Sequence, residues 1–255
     1  MKKRIIKLLK TLDLYPTAKA IKDRIVCYTP WNLRRHHATV AFYAQFIKEG
    51  DLCFDIGAHT GERTRVFREL GAKVICVEPQ QACLQRLYQK FGHDQNVIII
   101  GKALGEREGY MDLAICEDAP EISTMSNKWR ELGRFSKEHE WTKLERVPVT
   151  TLDTLIRIYG LPAFCKIDVE GYEGPVLRGL TQPIPVISFE FTKEFLADAQ
   201  ACMDYLLSIG PAVFNVCIND SMQLLLPIWV TPGTLYRTLL SIEDALLWGD
   251  IYAKF

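Results

Sequence analysis

Long apolar stretches are missing from this chain; uninterrupted runs last only a few residues, and a bilayer span needs roughly 20. The first residues, MKKRIIKLLKTLDLYP, do not read as a secretory signal, because Lys7, Lys10 and Asp13 interrupt any apolar core. Net charge is missing too. Across 255 residues, 31 Lys and Arg balance 31 Asp and Glu, so no global field announces a polyanionic partner, and a nucleic-acid ligand is not expected. No Cys-x-x-Cys pair occurs among the eight cysteines, which argues against zinc or a redox couple. His36 and His37 are adjacent and would leave a helix in different directions, so no metal site is expected there. A Gly-x-Ser-x-Gly elbow and a Walker loop are absent, which removes hydrolase and P-loop readings.

What is present is unevenly arranged. Residues 1–50 hold 11 Lys and Arg against 3 Asp and Glu, so the basic character belongs to the amino-terminal segment. Ile5, Leu8, Leu9 and Leu12 fall at helical spacing with lysines on the other faces, which predicts a basic amphipathic helix over 2–13. Such a helix packs on its own domain or on a second subunit, or touches an anionic membrane surface. A helix is expected over 36–48. From residue 51, short apolar runs alternate with helical periods: strands at 52–56, 73–77, 97–100, 163–169, 186–191 and 212–218, helices near 61–70, 80–91, 151–159, 172–180 and 193–209. Segments 223–230 and 250–255 could add final strands. This alternation predicts an α/β fold, a mostly parallel sheet with helices on both faces. The organisation expected is a helical extension over 1–50 and one domain over 51–255, with the polar stretch 116–147 as a lid-like insert. Cys53, Cys76, Cys165 and Cys217 sit inside apolar runs as small hydrophobes, which predicts reduced thiols and a cytoplasmic protein.

The first strand ends in Asp55-Ile-Gly57-Ala58-His59-Thr-Gly61. Glycine at 57 allows a sharp turn, and Gly61 stands where the helix begins, at an end whose free N–H groups favour electron-rich ligands. A dinucleotide fingerprint requires a second glycine where His59 stands, so the turn suits a ligand without pyrophosphate. Glu78 ends the second strand, 21 residues after Gly57, where an acid accepts hydrogen bonds from both ribose hydroxyls of a nucleoside. Asp55 and Glu78 together frame a nucleoside bearing a neutral or positive group. S-adenosylmethionine fits that description.

The runs DIGAHTG and VEP, with the later KIDVEGYE and VLRGL, resemble the FkbM family of S-adenosylmethionine-dependent methyltransferases over about residues 50–255. The resemblance implies a Rossmann-like class I methyltransferase fold, a seven-stranded sheet with its last strand antiparallel. It also implies methyl transfer, usually to a hydroxyl oxygen. On it, Asp55, Gly57, Ala58 and Gly61 fall on the glycine motif, and Glu78 with Pro79 falls on the ribose-binding run. Ser123 and Thr124, in EISTM, match a small-hydroxyl position of the family's insert, near the cofactor's methyl end and the substrate. The acceptor expected is a small molecule, a sugar or a glycan end. A non-catalytic nucleoside-binding or scaffolding module with the same fold is the alternative.

The run from Ala163 to Gly171 carries Lys166, Asp168 and Glu170 at alternate positions, which on a strand share one face, opposite Cys165, Ile167 and Val169. Buried charges in a parallel sheet cost several kcal/mol per ion unless compensated. Ligands bind outside the carboxyl ends of such strands, so the charges read as a site. Asp168 is expected to touch both cofactor and acceptor and to orient the hydroxyl or take its proton. Lys166 would neutralise the carboxylates or polarise the acceptor, and Glu170 would orient Lys166 or the substrate. Glu190, in VISFEF, and His59 are further candidates for the base.

Overall fold

The computed structural model describes residues 30–255; the helix expected over 2–13 lies outside the described residues. Helix α1 (Pro30–Tyr43) begins and ends earlier than the expected 36–48. Proline at its first position loses no hydrogen bond there and sets the helical φ. Residues Tyr43–Phe255 form one compact unit.

In chain order this unit contains β1 (Leu52–Ile56), α2 (Glu62–Glu69), β2 (Lys73–Val77), α3 (Gln81–Phe91) and β3 (Val97–Ile100). An excursion follows: β4 (Ala103–Leu104), β5 (Gly109–Ile115), a 3₁₀ turn at Pro120–Ile122, α4 (Asn127–Leu132) and β6 (Lys143–Thr150). The chain then returns through α5 (Leu152–Tyr159), β7 (Phe164–Ile167), α6 (Glu173–Arg178) and β8 (Val186–Thr192). It closes with α7 (Leu196–Ile209), β9 (Val213–Ile218), α8 (Pro232–Ser241) and β10 (Trp248–Lys254).

Seven strands form one sheet in the order β3-β2-β1-β7-β8-β10-β9. β10 runs antiparallel to both of its neighbours, and the pairs from β3 to β8 are parallel. The order reverses between β1 and β7, the switch point where open α/β sheets leave a crevice at their carboxyl ends. The strands are nearly continuous apolar runs because both faces are covered. On one face, the stacked rings of Phe46, Phe164 and Tyr252 meet the edges of Tyr43 and Phe67.

Two departures from expectation have local causes. The stretch 116–147 is not a polar loop throughout, since β6 begins at Lys143 and pairs with β5 before it, in a separate sheet ordered β4-β6-β5. Its buried side is Ala103, Leu113, Ile115, Val147 and Val149; Tyr110, Asp112, Leu144 and Arg146 on the other side are exposed, the pattern of a sheet with one wet face. Residues 223–230 form no strand beyond one bridge between Val230 and Phe214. The buried Asn215 side chain takes the hydrogen bonds a strand would have used, accepting from Leu226 N–H at 3.1 Å and donating to Leu226 and Ile228 carbonyls at 2.8 and 3.3 Å. Helix α8 then follows, with Pro232 at its start. Among the described residues, the cysteines are free and buried, and no helix is long and apolar enough to cross a membrane.

The Lys193 ammonium closes the end of α8 by donating to the carbonyls of Leu239, Leu240 and Ile242 at 2.5, 3.0 and 2.9 Å. Lys193→Met keeps the stem and removes the donor, so it should cost roughly 2 kcal/mol in urea unfolding with an unchanged slope. An unchanged midpoint would show that water serves those carbonyls equally well.

Candidate functional site

The turn after β1 is built by close packing. Gly57 has φ +78°, and a Cβ there would lie 1.8 Å from the Asp168 carbonyl oxygen. Gly57 lines the cleft described below, but its missing side chain is demanded first by the loop after β7. A Cβ on Gly61 would likewise meet Phe91 and Leu87 of α3, at 2.5 and 2.8 Å. The turn's N–H groups are used internally. Gly57 and Ala58 both donate to the Val77 carbonyl at 2.9 and 3.1 Å, and Gly61 donates to Ala58 at 2.8 Å.

His59, in the left-handed region at φ +49°, sends its N–H to Glu78 Oε2 at 2.8 Å. The Gln80 N–H donates to Glu78 Oε1 at 2.9 Å. Each oxygen of this carboxylate thus holds one backbone donor and keeps a lone pair for another. Glu78 is 2% exposed, and burial pushes its carboxyl up to about 7 despite those two bonds. It opens on a cleft with about 520 Å³ of empty space, open solvent included. Val77, Leu104, Leu113 and Met125 give this cleft an apolar wall, while His59, Pro79, Asp168 and Glu170 join Glu78 around it. The His59 Nε2 is buried without a hydrogen-bond partner, and burial lowers the ring's pKa, so the imidazole is neutral.

The charged run after β7 departs from the expected alternation. β7 ends at Ile167, and Glu170 takes a left-handed φ of +54°. The strand stops because Glu173 draws off its donors: the N–H groups of Val169 and Gly171 bond Glu173 Oε1 at 3.2 and 3.3 Å. Lys166 and Asp168 nevertheless meet, with Nζ 2.7 Å from Asp168 Oδ2 and 3.5 Å from Asp250 Oδ1. The Lys166 side chain is 3% exposed and that of Asp168 39%. Lysine therefore stands behind the cleft and aspartate within it. Burial alone would raise the Asp168 carboxyl; the Lys166 ammonium overcomes this and holds it below its ordinary value. Glu170 and Glu190 have no such partner, and burial followed by the neighbouring carboxylates raises both well above the usual range. Oxygens of Asp168, Glu170 and Glu190 lie within 4.8 Å of one another, close enough to share one cation. A second such group, Cys116, Asp118 and His139, satisfies itself by hydrogen bonds of 3.0 Å from Cys116 and His139 to Asp118.

The structure thus gathers Gly57, His59, Glu78, Pro79, Ser123, Thr124, Asp168 and Glu170 on one cleft. It leaves others outside. Asp55 is buried behind the turn and accepts from Thr64 Oγ1 at 2.5 Å, so it braces α2 and does not face the cleft. Ala58 and Gly61 serve the turn, and Lys166 the pair with Asp168. Glu190 lines a second cavity. Ser123 Oγ accepts from Cys116 N–H at 3.2 Å, and Thr124 Oγ1 donates to the Glu170 carbonyl at 2.6 Å, so both hydroxyls are tied to backbone. Sequence reasoning missed Gln80 and Asp250. The first follows directly on the VEP run; the second is a lone acid inside an otherwise apolar last strand, a signal of the same kind as Lys166.

A family model described as the methyltransferase FkbM domain matches residues 55–210. No curated protein matches the chain. Among solved structures, the chain is similar to precorrin-6y C5,15-methyltransferase from Geobacter metallireducens, with 8% identity, a TM-score of 0.45, and coverage of 86% of this chain and 85% of that one. It is also similar to fibrillarin from Aeropyrum pernix, solved with natively bound S-adenosyl-L-methionine, at 14% identity, TM-score 0.44 and 85% and 73% coverage. An rRNA methylase from Streptococcus thermophilus matches at 11% identity, TM-score 0.41, covering 86% of this chain and 94% of that one.

The raised carboxyl of Glu78 has a consequence for stability. The folded state holds this proton more tightly than the unfolded chain, so stability falls as pH rises from about 4.5 to about 7. Glu173, raised by burial to about 7, adds to the same window. Glu78→Gln should remove one proton's share of that slope, about 1.4 kcal/mol per pH unit at its steepest, in urea unfolding followed across pH. An unaltered slope would mean that Glu78 titrates as in the unfolded chain.

Proposed function

We propose, from the premise that the chain belongs to the FkbM methyltransferase family, that the cleft binds S-adenosylmethionine and that its methyl group goes to a hydroxyl oxygen of a small molecule, sugar or glycan. The observation that carries this reading is the Glu78 carboxylate facing the cleft from beside a turn whose N–H groups are already used. A pyrophosphate would meet a carboxylate and find few free donors. A ribose, which brings hydroxyl donors, matches the two lone pairs left on Glu78. The apolar wall of Val77, Leu104, Leu113 and Met125 suits a purine ring, and the buried unpartnered Nε2 of His59 leaves a polar atom for the same ligand. Bound there, the cofactor supplies a methyl group on a positively charged sulfur, a carbon that an oxygen nucleophile can attack.

The protein's own part is to hold and deprotonate the acceptor. Asp168 reaches the cleft with its charge secured by Lys166, so it can accept the hydroxyl hydrogen bond and take the proton as the new C–O bond forms. Glu170 is fixed beside it by the Thr124 hydroxyl. Much of the acceleration comes from holding the oxygen in line with the methyl carbon. On this reading residues 51–255 form the methyltransferase domain of a cytoplasmic protein, and residues 1–50 an extension to it.

Two substitutions test the reading. Glu78→Ala should weaken calorimetric binding of S-adenosylmethionine by roughly 2–3 kcal/mol, the worth of hydrogen bonds to a charged group. An unchanged dissociation constant in the folded variant would remove Glu78 from the site. Asp168→Asn keeps shape and loses charge, so turnover should fall about 10²-fold or more with cofactor affinity little changed. Turnover near wild type would make Asp168 structural and move the base to Glu190 or His59. Cofactor binding with no methylated product from any hydroxyl compound would leave the chain a nucleoside-binding module.

A further inference from the structure

We infer that Cys116, Asp118 and His139 form a binding site for one zinc ion, which fastens together the two ends of the excursion's helical segment and so steadies a wall of the cleft. The inference holds whatever the cleft itself binds. Cys116 follows directly on β5, Asp118 stands two residues later, and His139 lies 23 residues beyond Cys116, shortly before β6. One Sγ, one carboxylate oxygen and one imidazole nitrogen come within 4.8 Å of one another. Cys116 Sγ is 3.0 Å from Asp118 Oδ1, and His139 Nδ1 is 3.0 Å from Asp118 Oδ2. Donors held by a tetrahedral zinc at about 2.0–2.3 Å stand roughly 3.3–3.8 Å apart, a spacing that side-chain adjustments of about 1 Å reach from here.

The ligand types select the metal. Thiolate, imidazole and a single carboxylate suit zinc, whereas calcium and magnesium take oxygen ligands. In the hydrogen-bonded form, protons occupy the place of the ion. Binding would form bonds from the metal to Sγ, a carboxylate oxygen and Nδ1, release the thiol proton to solvent, and leave a fourth position to water. The thiolate and the carboxylate together balance the ion's two charges. Entry is open on one side, since the Asp118 side chain is 67% exposed and that of His139 26%, while Cys116 is buried. Exposed Glu117, Glu121, Glu138 and Glu140 flank the ligands in sequence and favour a cation. A nucleophilic thiol would need a base at the sulfur; here the imidazole and the thiol each bond the carboxylate that stands between them.

The ligands rest on a packed bed. Cys116, Ala119 and Ile122 form a small buried cluster with Phe135 and Trp141 against it, and the Trp141 indole donates to the Ile122 carbonyl at 2.9 Å. The His139 N–H donates to the Phe135 carbonyl at 3.1 Å, and its ring meets Phe135 edge-on with centres 6.2 Å apart. The set lacks the Cys-x-x-Cys spacing that marks zinc in a sequence because the fold brings its ligands from two separate segments. The loop that the ion would close carries Glu121, Ser123 and Thr124 of the cleft wall, and the Pro120 carbonyl that receives the Gln80 amide.

The test titrates the full chain, reduced and stripped of metal by a chelator, with cobalt(II) and then zinc. The wild type should take up about one equivalent of cobalt with a thiolate-to-cobalt charge-transfer band, which zinc then abolishes by displacement. Cys116→Ser should lose the band, and His139→Ala, which keeps the buried thiol, should bind cobalt about tenfold more weakly or worse. Zinc should slow tryptic cleavage after the exposed Lys137 about fivefold or more in the wild type but not in His139→Ala. The inference is overturned if the wild type shows no thiolate band, if Cys116→Ser retains it, or if His139→Ala binds cobalt as tightly as the wild type. Cobalt uptake without the band would put the ion on carboxylates such as Asp168, Glu170 and Glu190 and overturn it equally. Cleavage after Lys137 that ignores zinc would overturn the fastening role.

Discussion

A single ammonium group sets the electrostatics of the whole carboxyl edge of the sheet. Lys166 stands on β7 at the switch point, with Asp55 as its register partner on β1 and Ser188 on β8. At 2% exposure it cannot use water as a counter-charge, so Asp168 and Asp250 must supply one from within the fold. Breaking a buried pair of this kind costs roughly 3–5 kcal/mol, because the remaining charge is stranded. Its influence extends beyond the pair. The carboxyls of Asp55, Glu170 and Asp250 are all raised by burial, and in each case Lys166 opposes the rise. Remove that cation and a cluster of acids would have to take up protons to remain buried. The ionised Asp168 in the cleft is therefore a property of the sheet as much as of the site.

The parts legible in the sequence are those where one physical demand acts alone. Strands covered on both faces must be apolar throughout, so β1, β2, β7 and β8 stand out as runs. An acid at the end of such a run, Glu78, or a lysine inside one, Lys166, is conspicuous because water is excluded there. The parts that stayed hidden answer to two demands at once. β5 and β6 carry Tyr110, Asp112, Leu144 and Arg146 outward between their inward-facing residues, which reads as a mostly polar loop until the partner strand is known. The end of β7 at Ile167 depends on Glu173, whose carboxylate collects backbone donors from the loop preceding it. No spacing rule records that. The segment after β9 is governed by the side chain of Asn215, one residue acting in place of a strand.

The excursion between β3 and α5 is bound to the body at several points. The Arg134 guanidinium grips the Glu194 carboxylate through Nε and Nη2, at 2.8 and 2.5 Å, and also donates to the carbonyls of Leu246 and Leu247. The Gln80 amide reaches the Pro120 carbonyl at 3.1 Å, and Thr124 holds Glu170. These ties join the wall of the cleft to Glu78 on one side and to the acidic cluster on the other. The excursion thus serves as a fixed jaw of the site.

The internal use of the β1–α2 turn's N–H groups limits how this fold could change its ligand. Introducing glycine at 59 would supply the second glycine of a dinucleotide-like spelling, whose third position is Glu62, without freeing a donor, since the residue-59 N–H would still point at Glu78 and those of Gly57 and Ala58 at Val77. A lineage moving toward a pyrophosphate ligand would have to withdraw the carboxylate and reshape the turn before the glycine had any value, and each intermediate would bind neither ligand well. Drift across that gap is uphill at its first step, so the ligand class of this architecture is held in place by backbone hydrogen bonds that no single codon encodes.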